Sequence, residues 1–235
     1  MAKRVERPGV RSGYDRWSEV YDGTPNPLVT LDRRHTIDVL SPRPGQRVLD
    51  AGCGTGAHLS AIADAGARPV GLDFSRGMLR VARRRSPQAH IIQADLNRSF
   101  PVRQNYCDAV LCALVSEHLT NLRGFFREAL AVLRRGGRLV FSAFHPELAA
   151  AGVEADFEQN GVEYRLGAER YTVADYLNYM DDAGFEVTRC RHFRGDAALG
   201  VEVPEARRYL DRPLLLIIEA TRPGDAASHG RSESA

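Results

Sequence analysis

The sequence predicts an α/β protein with a doubly wound, mostly parallel sheet, and two observations support this prediction. First, strand-like apolar runs alternate with helix-like segments from residue 47 to residue 143, as in βαβ units with right-handed crossovers. Second, Gly52, Gly54 and Gly56 form a loop between the first strand-like run and a helix-like run. Such a loop builds a nucleotide or nucleoside pocket, because a backbone without Cβ atoms turns sharply and approaches a ligand closely.

Seven strand-like runs, each bounded by turn residues, make up the predicted sheet. They cover residues 47–51, 69–73, 90–94, 108–113, 138–143, 185–190 and 214–220. The clearest helices between them cover residues 57–65, 75–85 and 122–133. A polar stretch joins the last two strands and permits an antiparallel pairing at the sheet edge. The prediction is therefore a sheet with helices on both faces and an antiparallel last strand.

The remaining segments divide the chain around this core. Residues 1–45 are predicted to form a helical cover, or lid, with helices near residues 14–22 and 27–40. Residues 46–145 form the ligand-binding core, and residues 146–171 form an insertion in which Asn160-Gly161 predicts a hairpin turn. Residues 172–221 complete the same domain, with a helix that begins after Thr172. The polar residues 222–235 are predicted to be a disordered tail.

Composition limits the classes of function. The chain has 235 residues and a formal net charge of +2, which gives no electrostatic case for nucleic acid or an anionic membrane. Its four cysteines show no CxxC spacing, which favours reduced thiols in the cytoplasm over a disulfide framework or a metal site. No signal peptide and no apolar run of membrane-spanning length is recognised. We therefore expect a cytoplasmic protein without a metal.

Acidic residues stand at the ends of the first three predicted strands. They are Asp50, Asp73 and Asp95. A carboxylate after the second strand is placed to accept hydrogen bonds from both hydroxyls of a ribose, and one after the third can accept from an adenine amino group. An acid beside the glycine loop favours a ligand with an ammonium group. Together these residues describe an adenosine that carries a positive amino acid and no phosphate, which is S-adenosylmethionine.

Five motifs in order carry a resemblance to a known family. They are residues 48–56 (VLDAGCGTG), 71–79 (GLDFSRGML), 94–96 (ADL), 108–118 (DAVLCALVSEH) and 133–139 (LRRGGRL). On these motifs the chain resembles the class I S-adenosylmethionine-dependent methyltransferases of the small-molecule kind, typified by ubiquinone-biosynthesis and malonyl-carrier methyltransferases. The resemblance implies a Rossmann-like fold ending in an antiparallel hairpin, S-adenosylmethionine as cofactor and a small-molecule acceptor.

The resemblance also implies roles for individual residues. Gly52, Gly54 and Gly56 would shape the methionine pocket, Asp73 would hold the ribose, and Asp95 with Leu96 would read the adenine edge. The other implied contacts are Phe74 and Met78 beside the adenine, Cys112 and Ala113 at the methionine portion, and Tyr14 and Tyr21 in the lid. Alternatives stay open: core packing for Phe74, Met78 and Leu96, helix capping for Asp73, and a plain loop acid for Asp95.

Two histidines are the candidates for catalysis. His118 ends the loop after the fourth strand, and His145 lies just past the fifth. Either residue is interpreted as a cofactor contact, a substrate contact or a general base, and the alternative is a structural loop histidine. Tyr14, Trp17 and Tyr21 have helical spacing, which indicates either a lid over the cofactor or a stripe packed against the sheet domain.

Three other functions compete with small-molecule methylation. A nicotinamide-dependent oxidoreductase would share the loose glycine pattern, but the acids before the loop and after the third strand argue against it. A non-catalytic S-adenosylmethionine-binding protein would show a damaged first motif or lack the ribose acid, and neither defect is present. Protein or nucleic-acid methylation is disfavoured because residues 113–116 read ALVS rather than NPPY. The sequence leaves the acceptor and the oligomeric state open.

Overall fold

The computed structural model of the chain describes residues 4–224, and strands within that range form two sheets. In chain order the strands are β1 (Arg4–Glu6), β2 (Arg47–Ala51), β3 (Arg68–Asp73), β4 (His90–Gln93), β5 (Cys107–Ala113), β6 (Leu133–Phe144), β7 (Asp156–Gln159), β8 (Val162–Arg165), β9 (Glu186–Arg194) and β10 (Pro213–Thr221). The seven-stranded sheet has the order β4-β3-β2-β5-β6-β10-β9, and the smaller sheet has the order β1-β8-β7.

The large sheet confirms the predicted α/β fold. Neighbouring strands from β4 to β6 pair in parallel, whereas β10 is antiparallel to both β6 and β9. The strand order reverses between β2 and β5. Ligands of open α/β sheets bind above the carboxyl ends of the strands at such a reversal, so the topology directs attention to the loops that follow β2 and β5.

Helices cover both faces of this sheet. They are α1 (Val10–Trp17), α2 (Pro27–Leu40), α3 (Ala57–Asp64), α4 (Arg76–Arg85), α5 (Leu122–Val132), α6 (Pro146–Ala150), α7 (Val173–Ala183) and α8 (Ala197–Glu202). Sequence signals set several of their ends. The Asn26 side chain caps α2, Thr172 and Asp175 form a capping box at α7, and Gly184 ends α7 in the left-handed region at φ 99°.

Alternating strand residues build a separate hydrophobic core on each face of the sheet. Leu49 and Val110 point toward the face covered by α5 and α7, and their neighbours Val48 and Leu111 point toward the face covered by α2. The near-continuous apolar runs of the strands follow from this arrangement, because parallel strands are buried on both sides.

The cover and the insertion are joined into one unit, although some 150 residues separate them along the chain. Strand β1 pairs in parallel with β8, and Asn160 and Gly161 form the hairpin turn between β7 and β8, both with positive φ. Trp17 of α1 stacks on Phe157 of β7, with ring centroids 4.9 Å apart, and Phe157 stacks on Tyr164. The predicted hairpin is confirmed, and its packing against α1 is a feature that the sequence did not reveal.

Two predicted boundaries differ from the structure. The predicted helix at residues 14–22 begins earlier and stops at Trp17, so Tyr21 opens a separate 3₁₀ turn (Tyr21–Gly23). The predicted tail begins at Arg222, yet the backbone of this residue pairs with Gly136 and Gly137, and its side chain donates to carbonyls at the end of α5. Residues 225–235 of the predicted tail lie outside the described residues. Across residues 4–224, no helix combines the length and apolarity needed to cross a bilayer.

Candidate active site

The glycine loop after β2 uses its three glycines in different ways. All three have positive φ, which favours glycine. A Cβ on Gly52 would lie 2.2 Å from Cγ2 of Val115, and one on Gly56 would lie 3.1 Å from the Cα of Ala82 in α4. A Cβ on Gly54 would meet nothing within 4 Å. Gly54 therefore presents its backbone to open space, whereas Gly56 permits close packing of the loop against α4.

A cavity opens above the carboxyl ends of β4, β3, β2 and β5, and we call it the strand-end cavity. Most of the predicted site residues line it. They are Tyr14, Tyr21, Gly52, Gly54, Asp73, Phe74, Met78, Asp95, Leu96, Ala113 and His118.

Asp73 links the glycine loop to the start of α4. Its Oδ2 accepts a hydrogen bond from the Gly54 backbone at 2.9 Å, and its Oδ1 accepts one from the Ser75 backbone at 2.8 Å. Burial raises the pKa of Asp73 to about 6 against these hydrogen bonds. The cap of α4 is Ser75, whose Oγ accepts from the Met78 backbone, so helix capping does not account for Asp73. Each carboxylate oxygen keeps a lone pair for a ligand hydroxyl.

Asp95 is more exposed and forms a local turn. Its Oδ1 accepts from the backbone and side-chain nitrogens of Asn97, at 3.0 and 3.3 Å, and its Oδ2 lies 3.7 Å from Nε of Arg98. Asn97 in turn accepts from the Asn121 backbone at 3.0 Å. The loop-acid interpretation therefore describes the hydrogen bonds of Asp95, while its place at the cavity agrees with the predicted contact to a ligand.

The structure separates Asp50 from the strand-end cavity, contrary to the expected contact with a ligand ammonium. The residue is 1% exposed, and neither carboxylate oxygen has a hydrogen-bond partner. Burial raises the pKa of Asp50 to about 7, although His58 nearby acts in the opposite direction. Asp50 lies inside β2, where it is paired with Gly71 of β3 and Leu111 of β5.

His145, the second catalytic candidate, lines neither the strand-end cavity nor the larger cleft described below. Its ring caps α6 by accepting from the Glu147 backbone, and its Nε2 lies 2.9 Å from Nδ1 of His192 on β9. Cys112 is buried within β5 and, like Gly56, does not line the cavity. These three residues have structural contacts where ligand contacts were expected.

His118 joins the cover to the core. Its Nε2 lies 2.8 Å from the Tyr14 hydroxyl, and burial lowers the pKa of His118 to about 4, which keeps the ring neutral at neutral pH. Asp15 joins α1 to the start of α4, because its carboxylate accepts a hydrogen bond from the Ser75 hydroxyl at 2.7 Å and one from the Gly77 backbone at 2.8 Å. Helix α1 is thereby held over the strand-end cavity.

A second and larger cleft lies between the cover and the insertion, and we call it the cover cleft. Tyr14, Tyr21 and Leu114 line both cavities. Glu117 lines the cover cleft, whereas His118, the next residue, lines the strand-end cavity. The two cavities thus meet at the loop that follows β5.

Comparisons with known proteins agree with this geometry. The sequence pattern of a family described as "Methyltransferase domain" matches residues 49–141. The chain is 40% identical to a demethylmenaquinone methyltransferase of Renibacterium salmoninarum over 143 residues, which span 58% of this chain and 60% of the relative. It is 30% identical over 234 residues to a malonyl-[acyl-carrier protein] O-methyltransferase of Serratia marcescens, covering 93% of this chain and 89% of the relative. The chain belongs to the S-adenosylmethionine-dependent methyltransferases.

A solved structure supports the same family. An S-adenosylmethionine-dependent methyltransferase from Mesorhizobium loti superposes with a TM-score of 0.65 at 27% identity, over 76% of this chain and 92% of that one. Family membership rules against the oxidoreductase alternative, and the cofactor of the family is S-adenosylmethionine. Over the matched region the chain spans about 60% of the length of the demethylmenaquinone methyltransferase.

Several lining residues of this methyltransferase-family cavity were missed from the sequence. They are Ala94, Asn97, Leu114, Val115 and Leu119. Leu114 has φ 53°, an uncommon value for a non-glycine residue, and turns the chain between the two cavities. Position was an available signal for all five, because Ala94, Leu114 and Val115 lie inside the matched motifs, and Asn97 and Leu119 each directly follow one.

Proposed function

We propose that this chain transfers the methyl group of S-adenosylmethionine to a small-molecule acceptor. The observation that carries the proposal is the strand-end cavity, in which Asp73, Asp95 and the open backbone of Gly54 converge at adjacent strand ends. Family membership supports the reaction type, and the adjoining cover cleft supplies room for an acceptor.

The residues of the strand-end cavity fit the cofactor's chemical groups. In this proposal, Asp73 accepts hydrogen bonds from the ribose hydroxyls, Phe74 and Met78 flank the adenine, and Asp95 with Leu96 reads its edge. The backbone at Gly52 and Gly54, with Ala113, borders the methionine portion. When bound, the cofactor supplies an electrophilic methyl group on a sulfonium, so the protein's task is to align the acceptor and exclude water.

The finer description of the reaction is likewise a proposal. The relatives are named for demethylmenaquinone and for malonyl-[acyl-carrier protein], and we propose a small-molecule acceptor here. A net charge of +2 supports an acceptor other than nucleic acid. The four free cysteines support a reducing, cytoplasmic setting. The intact glycine loop and Asp73 speak against a non-catalytic binding protein.

Asp73→Ala tests the cofactor assignment. Loss of two charge-assisted hydrogen bonds to the ribose should weaken binding of S-adenosylhomocysteine by roughly 100-fold or more, as measured by calorimetry. Asp64→Ala, at the exposed end of α3, is the matched control and should bind like the parent chain. Thermal unfolding verifies that both variants are folded. Unchanged affinity in a folded Asp73→Ala variant would contradict the assignment.

A further inference from the structure

The cover cleft contains a buried carboxylate that the cofactor assignment does not use. Glu117 lies in the 3₁₀ turn Ser116–His118, is 7% exposed, and its Oε2 has no hydrogen-bond partner. The nearest basic group is Nε2 of His118, 3.9 Å from Oε1. His118 Nε2 is hydrogen-bonded to the Tyr14 hydroxyl, and the His118 ring is neutral at neutral pH. His118 therefore does not neutralise a negative charge on Glu117.

Two hydrogen bonds hold the segment around Glu117 in place. The Glu117 carbonyl accepts a hydrogen bond from the Glu169 backbone at 2.8 Å, and the Ser116 hydroxyl lies 3.0 Å from that of Tyr176 in α7. The Glu117 carboxyl, whose Oε2 has no partner, is therefore a fixed feature of the cleft wall. An acceptor group left unpaired in a buried site is costly, and a ligand that donates a hydrogen bond to it removes that cost.

The surrounding walls combine aromatic rings with negative charge. Rings of Tyr14, Trp17, Tyr21, Phe144, Phe157 and Tyr209 line the cleft. Five carboxylates also line it (Glu117, Glu154, Asp156, Glu158 and Glu205), and Arg208 is the single cationic side chain among its described lining residues. Glu154 is paired with Arg7 through two hydrogen bonds of 3.0 Å, and acidic side chains outnumber basic ones among the described lining residues. Aromatic faces and carboxylates together attract organic cations.

We propose that the cover cleft binds an aromatic or apolar amine in its ammonium form, with Glu117 as counter-ion, and that this amine is the methyl acceptor. The inference rests on the proposed function and names its substrate class. Glu117 is placed for this role because it lies where the two cavities meet. Leu114 before it lines both cavities, and His118 after it lines the strand-end cavity, where the cofactor is proposed to bind.

The same carboxylate provides the proton acceptor that amine methylation requires. The ammonium gives one proton to the carboxylate of Glu117, and the freed nitrogen lone pair attacks the methyl carbon. A nitrogen–carbon bond forms while the sulfur–carbon bond breaks, and its electron pair stays on sulfur as a neutral thioether. Burial raises the pKa of Glu117 to about 8, so its carboxyl is largely protonated at neutral pH in the unliganded chain. The positive charge of a bound ammonium stabilises the ionised form of Glu117, which is a stronger base than an ordinary carboxylate.

The single tryptophan of the chain offers a direct measurement of binding. Trp17 lines the cover cleft, so its fluorescence reports occupancy. The full chain is titrated with three probes of similar shape and different charge: phenethylamine, phenethyl alcohol and phenylacetate. We expect the amine to bind about tenfold tighter than the alcohol and the anion to bind most weakly, because a hydrogen bond to a charged group contributes more than a neutral one. Equal affinity for the amine and the alcohol, or no saturable response to the amine, overturns the proposal.

Glu117→Gln is the matched variant, because it keeps the shape and removes the charge. It should weaken binding of phenethylamine about tenfold or more and leave binding of phenethyl alcohol unchanged. Glu186→Gln, on the outer strand β9, makes the same change of net charge away from both cavities and should behave like the parent chain. An amine affinity that Glu117→Gln does not alter contradicts the inference.

Two further measurements separate this inference from the proposed function. Binding of S-adenosylhomocysteine should be the same in Glu117→Gln and the parent chain, since Glu117 does not line the strand-end cavity. Loss of cofactor binding in the parent chain itself would defeat the proposed function, whereas amine selectivity in the cover cleft would still be measurable. Methyl transfer to the alcohol oxygen in preference to the amine nitrogen would assign a hydroxyl acceptor and reject the amine.

Discussion

Buried carboxylates are the notable residues of this molecule. Asp50, Asp73 and Glu117 are each at most 8% exposed, and burial raises the pKa of all three, to about 7, about 6 and about 8. Each group therefore binds its proton more tightly in the folded chain than in the unfolded one. Stability from such a group is fully present below the unfolded-state pKa and is lost as pH rises through the folded-state pKa. These three carboxyl groups should accordingly contribute more stability in mild acid than at alkaline pH.

Asp50→Asn tests this pH dependence at the carboxyl whose two oxygens both have no hydrogen-bond partner. Asparagine resembles the neutral carboxyl, so the loss of unfolding free energy between about pH 4 and about pH 7 should become shallower, and the variant should exceed the parent chain in stability at about pH 8. Urea unfolding at a series of pH values measures the slope. Asp38→Asn, at an exposed position of α2, is the control and should retain the parent slope. Identical slopes for Asp50→Asn and the parent chain would show that Asp50 does not titrate in this range.

Among the elements, the contact between α1 and α4 positions the cover. Gly77 lies in the first turn of α4, and a Cβ there would fall 2.5 Å from Oγ of Ser18 and 2.6 Å from the carbonyl oxygen of Asp15. The helices approach this closely because the glycine has no side chain. The Gly77 backbone also donates to the Asp15 carboxylate, so the same position fixes both the distance and the register of α1.

Gly77→Ala should therefore destabilise the chain, even though alanine favours helix formation. Overpacking against backbone atoms costs roughly 1–3 kcal/mol, which opposes a helix-propensity gain of about 1 kcal/mol. Affinity for S-adenosylhomocysteine should fall as well, because α1 carries Tyr14. Gly200→Ala in α8 is the matched control, since its Cβ would meet the flexible Arg207 side chain at 3.0 Å. Chemical unfolding and calorimetry measure both quantities, and equal behaviour of the two variants would contradict the proposed contact.

Local sequence signals predicted some of these elements and missed others. Apolar runs bounded by turn residues, together with the glycine loop, located β2, β3 and β5, and the acid at the end of β3 lines the cavity, because these features are local and repeat in many α/β proteins. Burial of Asp50 could not be predicted locally, since it depends on the residues that pack around the strand. The pairing of β1 with β8 involves three residues on each strand, too few for a periodic signal.

For the whole molecule, the aromatic unit formed by Trp17, Phe157 and Tyr164 connects two segments that are distant in sequence. Met78 of α4 packs into the same cluster, which ties the unit to the core. The cover and the insertion therefore depend on one another for stability. A destabilising substitution in either segment should increase local unfolding of both. Local opening of this kind is measurable by hydrogen exchange.

Phe157→Ala tests this dependence. The large-to-small change should cost about 3–5 kcal/mol in the stability of the unit. Amides of α1 should exchange faster together with those of β7 and β8, while amides of β2 and β5 keep their parent rates. Val201→Ala, at a side chain that is 76% exposed, should leave every rate unchanged. Faster exchange confined to the β7–β8 hairpin would contradict the dependence.

The shared wall of Tyr14 and Tyr21 has a kinetic consequence. The two rings line both the strand-end cavity and the cover cleft. A ligand bound in the strand-end cavity therefore completes the surface that the second reactant contacts in the cover cleft. We expect turnover to follow a compulsory sequence, with the methyl donor entering first and the spent donor leaving last. Product-inhibition patterns would then be competitive between the two forms of the donor and non-competitive toward the acceptor.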